Sequence, residues 1–132
     1  PTYKVIIPEK MQKNGLTQPA HRNNNPGNIE YGDFAKSQGA TSGGRFAKFQ
    51  TPEDGFRALM NLIKKRQGEN LSLSQFVIDY APPVENDTAK YIKDLSESLG
   101  VSPKEKIKNI DTFELAKWVA QFEGGTKIEV IK

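Results

Sequence analysis

The chain has 132 residues, 36% of them hydrophobic and 27% charged, and a formal net charge of +3 at pH 7. It contains no cysteine and a single histidine, which removes disulfides, thiol nucleophiles and cysteine-ligated metals and leaves too few imidazoles for ordinary zinc hydrolase chemistry. If the chain is an enzyme, carboxylates must do the work, with no metal and no cofactor expected.

The length suits one domain with a buried core. A Ser-His-Asp triad would have to use His21, and no serine motif supports one. No apolar run approaches the roughly 20 residues of a membrane span, so no membrane partner is expected. The mild positive charge, without a basic stripe interleaved with aromatics, gives no reason to expect nucleic acid.

Residues 1–20 read as an N-terminal extension and 21–132 as a single domain. The opening Pro-Thr-Tyr-Lys-Val-Ile-Ile-Pro lacks the regions of a secretory signal. It suggests a strand over Tyr3–Ile7, then a polar, helix-poor approach to the cluster His21-Arg22-Asn23-Asn24-Asn25-Pro26-Gly27-Asn28-Ile29. Asn, Pro and Gly favour turns and left-handed backbone, and the neutral amides suit a ligand rich in hydroxyls and acetamides. His21 reads as exposed loop or a local hydrogen-bonding partner. Residues 28–50, punctuated by Gly32, Gly39, Gly43 and Gly44, predict an irregular hairpin or small sheet.

From Thr51 the pattern turns helical. Thr51-Pro52-Glu53-Asp54 is a helix start, followed by the stripe Phe56, Leu59, Met60 and Ile63 and a stop at Gly68. Gln50 and Asp54 read as structural. Ser72-x-x-Gln75 resembles a capping box, and Ala81-Pro82-Pro83 ends its short helix. Asn86 or Asp87 caps the next, with Tyr91, Ile92, Leu95 and Leu99 on one face and Gly100 as stop. Ser102-Pro103-x-Glu105 predicts a short helical piece. Asp111-x-x-Glu114 caps the last helix, with Leu115, Trp118, Val119 and Phe122 facing the core and Gly124-Gly125 ending it. A strand-like tail, Ile128–Ile131, follows. These elements predict an α+β, mainly α fold.

Glu123 is the candidate acid. It shares a face with Ala116, Val119 and Ala120, at a helix C-terminus that already carries partial negative charge. Dipole and partial burial both disfavour its ionised form, which is what a general acid working near neutrality requires. Glu85-Asn86-Asp87, behind a double proline, is a second candidate cluster.

The order Arg22-Asn23-Asn24-Asn25-Pro26-Gly27-Asn28-Ile29, Gly44-Arg45-Phe46-Ala47-Lys48-Phe49 and Thr51-Pro52-Glu53-Asp54-Gly55-Phe56-Arg57-Ala58-Leu59, with Tyr80-Ala81-Pro82-Pro83-x-Glu85-Asn86-Asp87-Thr88-x-x-Tyr91-Ile92, resembles phage and prophage virion-associated lysins of the lysozyme superfamily. The resemblance covers roughly residues 20–125. It implies a lysozyme-like fold and cleavage of the β-1,4 bond between peptidoglycan amino sugars, with Glu123 as general acid. Flagellar-type glucosaminidases and lytic transglycosylases carry their catalytic Glu before an asparagine-rich hairpin, so a circular permutation is the simplest account of its late position here. Asn24, Asn25, Gly27, Asn28, Tyr80, Glu85, Asn86 and Tyr91 are then expected to bind the glycan strand. Glu30, Asp33 and Glu85 are candidate second carboxylates for a hydrolase; a lytic transglycosylase needs none. The resemblance further implies other virion proteins as partners, and a place in a phage particle or at the bacterial wall reached without a signal peptide of the chain's own. The alternative is a non-catalytic virion structural or wall-binding module. A peptidase or amidase is disfavoured by the absence of Cys and the single His.

Overall fold

The structure is a computed structural model that describes residues 2–7 and 19–131. The elements run β1 (Thr2–Ile6), α1 (Pro19–Arg22), α2 (Asp33–Ser37), β2 (Thr41–Ser42), β3 (Ala47–Lys48), α3 (Pro52–Gln67), α4 (Leu73–Tyr80), α5 (Thr88–Leu99), a 3-10 turn (Ile107–Asn109), α6 (Thr112–Gly124) and β4 (Lys127–Ile131). The fold is α+β and mainly helical.

The helix starts follow from local chemistry. Thr51 accepts from the Asp54 amide with Pro52 at the first position, and Ser72 and Gln75 complete a reciprocal capping box. Asp87, not Asn86, caps α5, and Asp111 caps α6; each satisfies an amide that has no partner within its helix. Gly100 and Gly125 end α5 and α6 in the left-handed region, at φ 69° and 73°.

The core gathers Phe56, Leu59 and Ile63 from α3, Leu73, Phe76 and Val77 from α4, Leu95 from α5, and Leu115 and Val119 from α6, all buried. Each such side chain contributes about 1.5–3 kcal/mol by leaving water. β1 pairs antiparallel with β4, Thr2 opposite Ile131 and Ile6 opposite Lys127. Tyr3 packs on Phe56 and Phe113 with ring centroids 5.0 and 5.8 Å away, so the β1–β4 ribbon lies against the helical core.

Three expectations need correction. The expected helix-poor approach closes with a helical turn, α1, whose first position is Pro19; the rest of that approach, residues 8–18, lies outside the described residues. The stretch 28–50 does form the small β2–β3 hairpin, but it also holds a short helix, α2, ahead of that hairpin, anchored by buried Ala35. The helical piece expected from Ser102 is a turn leading to Ile107–Asn109. The carbonyls of Pro103 and Glu105 accept from Ser74 and Leu73 at the start of α4, so they are not free to propagate a helix.

Candidate active site

Glu123 sits on the last turn of α6, just after Val119 and Ala120 commit that face to the core. Its side chain enters a groove of about 720 Å³. Tyr91 Oη donates to Oε2 at 3.0 Å and Asn28 Nδ2 to Oε1 at 3.4 Å. Burial raises the Glu123 pKa above the ordinary glutamate value, and these two hydrogen bonds pull it partly back. The phenols of Tyr80 and Tyr91 are held well above their usual range, first by burial and then by the neighbouring Glu123 charge. They are therefore protonated donors.

The asparagine cluster divides into scaffold and site. Asn25 is fully buried. Its Nδ2 donates to Ile29 O and Ala47 O, both at 2.9 Å, and its Oδ1 accepts from Ile29 N at 3.0 Å. Asn24, left-handed at φ 51°, donates to the carbonyls of Phe49 and Gln50. Gly27 accepts at its carbonyl from Tyr80 Oη, and a Cβ there would lie 2.7 Å from Leu59 Cδ1. Asn24, Asn25 and Gly27, expected to bind the glycan strand, instead make bonds that fasten the turn to β3, to the segment before α3 and to α4, and they are not in the groove's lining. Of the cluster's asparagines Asn28 lines the groove, at φ 50° and with its amide on Glu123.

Tyr80, Glu85, Asn86 and Tyr91 also line the groove, with Glu30 and Asp79. Asp33 does not; it opens α2. The walls are joined by Arg45. Its Nη2 lies 2.8 Å from Glu30 Oε1 and its Nη1 2.8 Å from Glu85 Oε1, and it holds the Glu85 carboxyl below its usual range. Asp79 pairs with Arg66 at 2.6 Å. Arg45 was not among the expected ligands, although a lone cation between a turn glycine and an aromatic was its signal. Phe122 is a second omission. Read as a core position, it packs against the core and also lines the groove, with Tyr91 5.7 Å away on one side and Trp118 6.1 Å away on the other.

His21 is buried rather than exposed, because α1 tucks beneath the end of α6, where His21 Nε2 meets Thr126 Oγ1 at 3.2 Å. Burial lowers its pKa, with the Gly124 backbone opposing. Among the described residues no group of three or more His, Asp or Glu side chains converges as a metal site would require, and no helix is long and apolar enough to cross a membrane.

No protein-family model matches the chain, and no curated protein matches it.

Proposed function

We propose that this chain is a peptidoglycan-cleaving glycosidase of lysozyme-like type, with Glu123 as its general acid, and that it cleaves as a lytic transglycosylase. The observation that carries this is the carboxyl of Glu123. It is partly buried at a helix C-terminus, raised in pKa, oriented by a phenol and an amide, and faces a solvent-open groove. The β1–β4 pairing, which sets β1 beside the strand that follows α6, supports a permuted order of the lysozyme-like elements.

In the first step Glu123 delivers its proton to the glycosidic oxygen. The C1–O bond breaks, the leaving sugar keeps the proton as a hydroxyl, and positive charge develops on C1 and the ring oxygen. Glu123, now a carboxylate held by Tyr91 and Asn28, accepts the proton of the same sugar's 6-hydroxyl as that oxygen closes on C1. The product is a 1,6-anhydro sugar, and Glu123 ends protonated as it began. A hydrolase would call on a second carboxylate. The groove's other acids, Glu30, Asp79 and Glu85, are each ion-paired with an arginine, which favours the route that needs none.

The test is digestion of purified peptidoglycan by the protein and its Glu123→Gln variant, with released muropeptides identified by mass spectrometry. Anhydro products that vanish in the variant are expected. Reducing-end products would make the protein a hydrolase. Equal release by both proteins would remove Glu123 from the reaction, and no release by either would leave a wall-binding module.

A further inference from the structure

Beside the groove, α6 and β4 enclose a second, smaller cleft of about 160 Å³, lined by Lys117, Trp118, Gln121, Thr126, Lys127 and Ile128. The two hollows are joined by an aromatic ribbon. Tyr91 and Phe122 line the groove, Phe122 stacks on Trp118 with rings 26° apart, and Trp118 walls the cleft. Their charges differ. In the groove Glu30 and Glu85 are paired with Arg45 and Asp79 with Arg66, beside the raised carboxyl of Glu123. The cleft carries two ammonium groups and no carboxylate. Lys117 reaches Glu114 only at 3.5 Å and also lies 5.2 Å from the Trp118 ring centroid.

We infer that this cleft is a binding site for a carboxylate-bearing peptide, and that it seats the acidic peptide stem of the strand whose sugars occupy the groove. The inference rests on the proposed peptidoglycan substrate. Such a strand has two electrostatically different parts, neutral sugars and anionic stems. Arg45, the cation in the groove's lining, is already engaged by Glu30 and Glu85, so a peptide carboxylate gains no partner there, whereas a neutral sugar needs none. The neighbouring cleft offers that carboxylate Lys127 and Lys117, the peptide's aliphatic parts the Trp118 face and Ile128, and its backbone the Gln121 amide. The ribbon lets both hollows be filled by one molecule. Recognition of the stem then fixes which sugar lies beside Glu123, and the site acts as a specificity determinant of the cleavage.

Trp118 is the chain's single tryptophan, so its fluorescence reports directly on the cleft. The experiment titrates the intact Glu123→Gln protein with a soluble acidic stem tetrapeptide and, separately, with a peptide-free amino-sugar oligosaccharide. A saturable change in Trp118 emission with the tetrapeptide is expected, weakened about tenfold by Lys127→Glu. Lys127 is exposed on β4, so this variant is expected to fold, and unchanged circular dichroism and melting verify that it does. Silence toward the tetrapeptide, or a response equal in Lys127→Glu, overturns the inference, as does a response to the oligosaccharide alone. Because this is a binding readout in an inactive variant, it stands apart from the digestion assay. Tetrapeptide binding by a protein that cleaves nothing would overturn the glycosidase reading and keep the cleft.

Discussion

Replacing Asn25 separates a scaffold residue from a ligand-binding one. Its side chain makes three hydrogen bonds, two to Ile29 within the turn that carries Asn28 and one to Ala47 on β3. In Asn25→Ala the Ile29 carbonyl still accepts from Ala47 N at 2.9 Å, but the Ile29 amide and the Ala47 carbonyl lose their side-chain partner in a fully buried position. Each unsatisfied buried group costs about 1–3 kcal/mol, so the variant is expected to lose about 3 kcal/mol. That is a large share of the roughly 5–15 kcal/mol of a typical domain, and it corresponds to a fall of roughly 10 °C in Tm. Asn25→Asp keeps the acceptor but sets a carboxylate oxygen against two carbonyls, so it is expected to lose at least as much. Its loss shrinks at low pH, where the protonated acid again donates. Urea denaturation at constant m-value measures both. An Asn25→Ala protein with wild-type stability and a raised KM would refute the reasoning and return Asn25 to the sugar site.

Glu123 makes stability depend on pH with a definite sign. Its folded pKa is raised, so its contribution is greatest below the ordinary glutamate value and is lost as pH rises through the raised one; Glu123→Gln should lack that slope in thermal melts and be the more stable protein at neutral pH. Tyr91→Phe removes a hydrogen bond that favours the carboxylate, so the alkaline limb of the pH–rate profile should move to higher pH, and an unmoved limb would mean that Tyr91 does not tune the acid. Gly55→Ala would drive a methyl group into the Asn24 carbonyl oxygen and within 2.8 Å of Pro26 Cδ; a loss of about 1–3 kcal/mol by denaturant unfolding is expected, since α3 and the turn must part.

The helix starts and the candidate acid were legible because their causes lie within a few residues. Thr51 and Asp54, Ser72 and Gln75, and Asp111 and Glu114 are each three residues apart, and a cap is a contact across one turn. Glu123 could be singled out because the apolar face beneath it and the glycines after it are its neighbours in the chain. The asparagine cluster marked the region, but the chemistry of its amides is identical, and what separates them is distant. Asn25 is claimed by Ala47, Asn24 by Phe49 and Gln50, and Asn28 by a carboxylate 95 positions away. The Arg45 bridge draws on acids 15 and 40 positions off. Trp118 and Phe122 have the helical spacing of core residues, and only α5 and β4 beside them turn their faces into groove and cleft walls. Local sequence thus determines where helices begin and which carboxyl is disfavoured as an ion. Tertiary structure alone decides which of several equivalent side chains is left facing solvent, because that depends on contacts that exist only once the chain has closed on itself.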